Sequence, residues 1–154
     1  MYKRQITERF AEALRRSERY ATIPNQIVLA DFLSSGQFAK HLRRCREASA
    51  ERRQALIEAL KEECADMLTF DRNAGGLHIC AKLAPKTDDT AIANAAREAG
   101  IVVEPLSAFY ADTPAQPGLL LGFAGFRPDA LRDATARLAA VLRSRVGARG
   151  RAAG

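Results

Sequence analysis

The sequence has no tryptophan, only two histidines and three cysteines, and no apolar run that approaches the roughly 20 residues of a membrane span. Cys45, Cys64 and Cys80 include no Cys-x-x-Cys pair, which argues against a disulfide framework and a zinc site. His41 and His78 are too few and too far apart to complete a metal site. The N-terminus lacks the apolar segment of a secretory signal, so we expect a cytoplasmic protein without membrane contact.

The charge balance is basic, with 24 Lys and Arg against 18 Asp and Glu, a net charge of +6 and an isoelectric point near 9.6. Arginines concentrate in the first twenty residues, in residues 40–53 and in residues 143–151. Such a balance favours a nucleic-acid partner only if the charge lies on one face. Here the middle of the chain is close to neutral, and charge alone therefore leaves that possibility open.

Apolar residues at helical spacing predict three helices in the N-terminal part: residues 5–20, a short helix over 26–35, and one long helix over 37–64. Pro24 is expected to separate the first two, with Asn25 as the N-cap and Gly36 as the C-terminal stop of the second. The predicted apolar stripe of the long helix is Phe38, Leu42, Cys45, Ser49, Leu56, Leu60 and Cys64.

Alternating polar and apolar residues then predict strands. The expected elements are a β-hairpin (strands 67–70 and 77–83, turn 73–76), a helix over 88–99 capped by Asp88 and Asp89, a strand over 101–104 stopped by Pro105, an irregular loop over 105–117, a strand over 118–126 and a helix from Pro128. This order predicts the α+β class, with a small antiparallel-leaning sheet covered on one side by helices.

The domain boundaries follow from the same reading. We expect a basic helical N-terminal segment over residues 1–23, one α+β domain over residues 24–146, and a disordered Gly/Ala/Arg tail over residues 147–154.

Several motifs occur in a fixed order: QIVLADFLSSG at 26–36, HLRR at 41–44, ERRQAL at 51–56, GGLH at 75–78, PLSAFY at 105–110 and GLLLGF at 118–123. The series resembles the C-terminal portion of MocR-type regulators of the GntR family. In these proteins a winged-helix DNA-binding domain is fused to a fold-type I, aminotransferase-like domain that uses pyridoxal phosphate (PLP). The resemblance covers residues 24–142 and implies the small C-terminal domain of an aminotransferase.

The resemblance implies that the PLP lysine, the carboxylate for the pyridine nitrogen and the phosphate-binding groups belong to a large domain that is absent here. No catalytic, cofactor-binding or metal-binding residue is therefore assigned to this chain, which is expected to hold no cofactor alone. The implied partners are the missing large domain or a second copy of the chain. DNA would be bound only through a winged-helix domain that this sequence lacks.

Three positions depart from the aminotransferases that the sequence resembles. Such enzymes commonly carry, in the last strand, an arginine that grips the substrate carboxylate, and Leu120 stands there instead. Leu106 replaces a glycine that would adopt positive φ at little cost. Ser49 replaces a tyrosine that often precedes the Glu-Arg-Arg motif. Leu120 and Leu106 favour the regulator branch over the enzymes, and whether this chain belongs to an enzyme stays open.

Other candidate residues have plainer interpretations. Lys40 follows a Ser- and Gly-containing segment like a PLP lysine, but it falls on the polar side of a charged helix, where its ammonium stays solvated. His78 is expected to be a half-buried strand residue with a backbone hydrogen bond, and Gly75-Gly76 a hairpin turn rather than a phosphate loop. Arg43, Arg44, Arg52 and Arg53 could bind phosphate or DNA, but they are interpreted as the solvated face of a helix. A pocket rim and a structural loop explain the next group equally well: Ser107, Phe109 and Tyr110.

Three functions remain as hypotheses. The first is a C-terminal domain or fragment of a MocR-type transcription regulator that is not catalytic alone. The second is a subunit or fragment of a working PLP-dependent aminotransferase completed by another chain. The third is a small basic nucleic-acid-binding protein, which predicts strongly salt-dependent DNA binding.

Overall fold

The computed structural model describes residues 2–16, 22–71, 75–111 and 116–150, and the chain divides into two compact units, residues 1–45 and 46–154. The elements are α1 (Tyr2–Arg16), α2 (Ile23–Ser34), α3 (Gln37–Cys64), β1 (Thr69–Phe70), β2 (His78–Lys82), α4 (Asp89–Glu98), β3 (Glu104–Pro105), a 3-10 helix (Leu106–Phe109), β4 (Gly118–Gly122) and α5 (Pro128–Gly150). Helix α3 runs across the boundary between the units.

The structure has the two predicted N-terminal helices with different limits: α1 begins at Tyr2 and α2 at Ile23, and residues 17–20 of the first predicted helix lie outside the described residues. The structure places Pro24 in the first turn of α2, preceded by the N-cap residue Thr22, so the predicted N-cap at Asn25 is wrong. The first turn tolerates proline because its missing N–H would have no partner within the helix. Gly36 has a φ of +76°, as expected for the residue that ends this helix.

Helix α3 has the predicted limits, Gln37–Cys64. Its predicted apolar stripe is buried only in the C-terminal half, where Leu56, Leu60 and Cys64 belong to the core, whereas Phe38 and Cys45 are exposed. The spacing of apolar residues identified the helix and its face. It did not show how much of that face another element covers.

The sheet is antiparallel throughout, with the strand order β1-β2-β4-β3. Strands β1 and β2 pair with Thr69 opposite Lys82, as the predicted hairpin requires. Residues 73 and 74 of the predicted turn lie outside the described residues. Strand β4 joins β2 in the register that sets His78 opposite Gly122, and the α+β class is confirmed.

Two predicted strands have different limits. Strand β3 includes Pro105, which pairs with Leu119, because an edge strand leaves one side of the backbone unpaired and proline needs no N–H there. Strand β4 ends at Gly122 rather than at residue 126, since the chain turns at that point and the Phe126 N–H donates to the Phe123 carbonyl. The predicted loop after β3 contains a 3-10 helix.

The core of the second unit lies on one face of the sheet, under α3, α4 and α5. Its largest fully buried side chains are Leu60, Cys64, Ile79, Leu119, Phe123 and Leu142. Helix α4 begins as predicted, because the Asp88 carboxylate accepts a hydrogen bond from the Ala91 N–H. Helix α5 continues through Gly150, so the first four residues of the predicted disordered tail are helical, and residues 151–154 lie outside the described part.

The three cysteines differ sharply in their surroundings. Burial raises the pKa of Cys64 to about 11, with Arg143 lowering it and Glu63 raising it by smaller amounts. Cys45 and Cys80 are exposed. Since the thiolate is the reactive form, Cys64 combines poor access with a small thiolate fraction.

We therefore expect the native chain to react quickly with a thiol reagent at Cys45 and Cys80, and at Cys64 only after unfolding in urea. The count of reacted thiols, followed by absorbance, measures this directly. Cys45→Ser and Cys80→Ser should each remove one fast equivalent, and Cys64→Ser should remove the slow one. A third fast equivalent in the native chain would contradict the buried position of Cys64.

Candidate functional site

Among the described residues of the second unit, no helix covers one face of the sheet. Strand β2 alternates exposed and buried residues, so that Ile79 and Ala81 enter the core while the intervening side chains are exposed. We define the open sheet face by the residues that share this exposed side: Thr69, His78, Cys80, Lys82, Glu104 and Leu120. This face is therefore accessible to a ligand or to another domain.

His78 lies at one end of the open sheet face. It is opposite Gly122, and a Cβ added to that glycine would lie 3.5 Å from Cδ2 and 3.7 Å from Nε2 of the imidazole. The imidazole is exposed, and within the described part of the chain it has no hydrogen-bond partner. The prediction of a half-buried, hydrogen-bonded histidine is therefore wrong, because none of the described elements covers this side of β2.

Leu120 occupies the centre of the open sheet face, between Cys80 of β2 and Glu104 of β3. It is half-buried, and its hydrocarbon side chain offers no hydrogen-bond donor. Its nearest strand partners are a thiol and a carboxylate, neither of which binds an anion. This position therefore cannot grip a substrate carboxylate.

The lysines whose side chains the structure describes lie in solvated surroundings. Lys40, Lys61, Lys82 and Lys86 are all exposed, and these are the lysines whose side chains the structure describes. A lysine that forms a Schiff base needs a partly desolvated pocket that lowers its pKa. The described residues of this chain therefore do not fit PLP by themselves.

The four arginines that were predicted to form a solvated helix face differ in their exposure. Arg43 and Arg44 are exposed on α3, as expected. Arg52 and Arg53 are half-buried, and the Arg52 guanidinium donates a hydrogen bond to the Ala124 carbonyl. For Arg52 the solvated-face interpretation is wrong, since it links α3 to the turn that follows β4.

The glycines at 75 and 76 lie in a bend and lead into β2 rather than into a helix, so they do not form a phosphate loop of the strand–loop–helix type. Gly76 adopts positive φ, at 93°. Leu106 does not need that conformation, because among the described non-glycine residues only Lys86 has positive φ. Leu106 therefore has no energetic cost from positive φ, and it is the first residue of the 3-10 helix.

A buried carboxylate, Asp89, is the polar centre that the sequence analysis missed. It accepts hydrogen bonds from the Ser107 N–H (3.0 Å), the Ser107 hydroxyl (2.5 Å) and the Gly118 N–H (3.0 Å). Burial alone would raise its pKa, but the bonds from Ser107 and Gly118 outweigh burial and lower it. Asp89 therefore ties α4 to the 3-10 helix and to the start of β4. In the sequence, Asp89 was noticed only as part of the Asp88-Asp89 pair, and both residues were predicted to cap α4. The structure shows that Asp88 is the cap.

Phe109 and Tyr110 are exposed at the end of the 3-10 helix, whereas Ser107 is bound to Asp89. The interpretation of this segment as a structural loop therefore holds for Ser107. In the described residues, no helix has the length and apolar composition that a bilayer crossing requires, and no group of three or more His, Cys, Asp or Glu side chains is arranged to hold a metal ion.

Comparison with known proteins extends these observations. No family model matches the chain. The probable rhizopine catabolism regulatory protein MocR of Rhizobium meliloti is 34% identical over 129 residues, which are 84% of this chain and 26% of that protein. The chain is homologous to the C-terminal portion of MocR-type regulators. It spans about a quarter of the length of the MocR-type relatives it matches.

Aminotransferases are also similar to this chain, at lower sequence identity. The 2-aminoadipate transaminase of Thermus thermophilus is 22% identical over 139 residues, 90% of this chain and 35% of the enzyme. The crystal structure of Pyrococcus horikoshii kynurenine aminotransferase, in complex with PMP, gives a TM-score of 0.79 at 24% identity, covering 91% of this chain and 35% of the enzyme. At this identity the structural match shows the fold, and the predicted aminotransferase small-domain type is confirmed.

Proposed function

We propose that this chain is the C-terminal part of a cytoplasmic, MocR-type transcription regulator and that it has no catalytic activity alone. Its partner is the large aminotransferase-like domain, which supplies the PLP site, and a winged-helix domain supplies DNA binding. In this proposal residues 1–23 are a basic helical segment and residues 24–146 belong to the aminotransferase-like small domain, whose last helix α5 continues to Gly150. The small domain presents its open sheet face to the cofactor side of the large domain.

Helix α2 supports the proposal that the chain is part of a larger protein. None of its residues is buried, although it is rich in large apolar side chains. These side chains are between 38% and 71% exposed: Ile23, Ile27, Val28, Leu29, Phe32 and Leu33. A helix that is apolar all round is typical of a protein interior, so α2 is best explained by packing against the large domain or a second copy of the chain.

The observation that carries the non-catalytic part of the proposal is Leu120 at the centre of the open sheet face. In the enzymes that this sequence resembles, an arginine at this place holds the substrate carboxylate through two parallel, charge-assisted hydrogen bonds. Leucine removes both bonds and leaves an apolar surface. A bound amino acid would therefore lose its main anchor on this side, even where PLP on the large domain supplies the chemistry of amino-group transfer.

The chain alone provides the first test. After incubation with PLP and reduction with borohydride, we expect mass spectrometry to find only low labelling, spread over the exposed lysines such as Lys40 and Lys82, because none of them lies in a pocket. Lys40→Arg should therefore change the total little. One equivalent of label at a single lysine, lost in the matching Lys→Arg variant, would overturn the proposal.

The second arm uses the protein with its large domain restored. We expect PLP to bind there without turnover of amino acids, and Leu120→Arg to strengthen amino-acid binding about tenfold or more, because it restores a charge-assisted contact. The amount of 2-oxo acid formed and the absorbance of the bound cofactor measure these two effects. Turnover with Leu120 in place would instead support the working aminotransferase.

The nucleic-acid-binding alternative has a separate test, namely binding of the chain alone to duplex DNA at low salt. We expect no binding, because the Arg52 guanidinium already donates a hydrogen bond to the Ala124 carbonyl. In addition, the helix that carries Arg43 and Arg44 also carries acidic residues, among them Glu47 and Glu51. Binding that weakens steeply with salt would contradict this expectation.

A further inference from the structure

A cavity of about 370 Å³ lies on the helix-covered side of the sheet, at its β3 edge. Its walls come from the end of β4, the segment between α4 and β3, and α5, and its floor includes Leu56 of the core. The volume falls in the range of about 300–1,000 Å³ that is typical of small-molecule sites. The cavity is distinct from the open sheet face, which lies on the other side of the same strands.

The fold leaves this space for two reasons. Strand β3 pairs with β4 only at Glu104 and Pro105. Val102, two residues before β3, and Gly122, at the end of β4, therefore border the cavity without belonging to a ladder pair between these strands. Helix α5 presents the small side chains of Ala130 and Ala134 to the same region. No large side chain of the described residues fills the gap between the strand edge and the helix.

Most of the side chains that line the cavity are apolar. Ile101, Leu121 and Leu138 contribute buried side chains, and Thr135 is the one polar uncharged side chain among the described lining residues. The Thr135 hydroxyl already donates to the Leu131 carbonyl at 2.8 Å. A polar or charged group in the interior would therefore lose hydration and meet few side-chain partners, so we expect the part of a ligand that enters to be mainly hydrocarbon.

One cation stands among the described lining residues, at Arg137. Its NH1 donates a hydrogen bond to the Ala99 carbonyl at 3.1 Å, and within the described part of the chain no carboxylate forms an ion pair with it. A guanidinium has five N–H donors, so one bond to Ala99 leaves others for a second acceptor. Arg137 is exposed, as are the apolar side chains of Val102 (73%) and Phe126 (58%), which form the rim.

We propose that this cavity binds a small amphipathic monocarboxylate, with its hydrocarbon body between β4 and α5 and its carboxylate on Arg137. The apolar side chains of the walls select the body of the ligand, and the exposed Arg137 guanidinium selects the charge of its head group. This inference does not depend on the proposed function of the chain, because it uses no residue of the open sheet face.

Three probes with one hydrocarbon body test the charge preference: octanoate, octan-1-ol and octylammonium, each titrated into the full chain and followed by the backbone amide resonances of Val102, Gly122 and Ala134. We expect saturable binding of octanoate at least about tenfold tighter than that of octylammonium, because a charge-assisted bond to Arg137 replaces a repulsion. Equal binding of the three probes would overturn the proposal.

Paired variants test the position of the ligand. Arg137→Gln should weaken octanoate about tenfold and leave octan-1-ol unchanged, whereas Arg132→Gln, an exposed arginine of the same helix outside the cavity, should change neither. Ala134→Phe should abolish binding of both probes by filling the cavity, and Ala136→Phe, at an exposed position outside the cavity, should not.

Two checks keep these results interpretable. Thermal unfolding of each variant shows whether it has folded, and Ala130→Phe replaces Ala134→Phe if the latter has not, because Ala130 is an exposed lining residue with more freedom to adjust. Arg137→Lys retains a positive charge and should recover part of the octanoate affinity. Unchanged binding in the cavity-filling variants would overturn the proposal, since the ligand would then lie elsewhere.

Discussion

Asp89→Ala is expected to lower the free energy of unfolding by about 3–5 kcal/mol, because it removes the acceptor for three hydrogen bonds in a buried position. The Ser107 N–H, the Ser107 hydroxyl and the Gly118 N–H would all lose their partner at once. A buried donor that loses its acceptor costs about 1–3 kcal/mol. Urea unfolding followed by circular dichroism gives the change in free energy.

The neighbouring carboxylate is the matched control. Asp88 is exposed and accepts one bond, from the Ala91 N–H, at the start of α4. Asp88→Ala should therefore cost only about 1 kcal/mol, as is usual for the loss of an N-cap. Similar losses in the two variants would show that the buried cluster does not anchor β4 in the way its hydrogen bonds indicate.

Asp89 should also make the stability of the chain depend on pH. Because hydrogen bonds from Ser107 and Gly118 outweigh burial, the pKa of Asp89 is lower in the folded chain than in the unfolded chain. Its contribution to stability is therefore complete above its unfolded pKa, about 3.9, and is lost as the pH falls through the lower folded value. Asp89→Asn cannot ionise, so the stability difference between the native chain and this variant should shrink only in that acidic range.

Gly118→Ala is expected to destabilise the fold by roughly 3 kcal/mol, because the added methyl group has no room. It would lie 2.5 Å from the Ala81 carbonyl oxygen and 2.6 Å from Leu106 Cδ1. The leucine can move, but the carbonyl belongs to β2, so relief requires separating β2 from β4. Thermal or urea unfolding measures the loss.

Gly125→Ala is the control for the loss of glycine itself. A Cβ at Gly125 meets nothing within 4 Å, and this residue does not have positive φ. We expect its stability to stay within about 0.5 kcal/mol of the native chain. An equally small loss of stability in Gly118→Ala would contradict the close approach of Gly118 to the backbone of β2. Leu106→Ala in the Gly118→Ala background should recover only part of the loss, since the carbonyl contact remains.

Local signals in the sequence predicted the elements that depend on local interactions. Helix α4 starts where Asp88 was expected to cap it, and α3 ends at the predicted Cys64, because caps and apolar periodicity act within a few residues. The ordered motifs also identified the homology to MocR-type regulators. The limits of β3 and β4 were less accurate, since a strand ends where its partner ends, and the partner is distant in sequence.

The candidate site was only partly accessible to such reasoning. The resemblance pointed to Leu120, and the tertiary structure added that Cys80 and Glu104 flank it on an uncovered sheet face. Nothing local distinguished Asp89 from Asp88, yet one is buried among three donors and the other is an exposed cap. The difference arises because Ser107 and Gly118 reach Asp89 only when the chain is folded.

The sequence by itself determined the approximate positions of the five α-helices, the α+β class and the homology of the chain to MocR-type regulators. All of these follow from composition, short-range periodicity and motif order, which need no knowledge of distant contacts. Only the tertiary structure decided which half of α3 is buried, that Arg52 supports the turn after β4, and that a cavity with Arg137 at its rim lies beside β3. Each of these depends on residues far apart in the chain, and only packing brings them together.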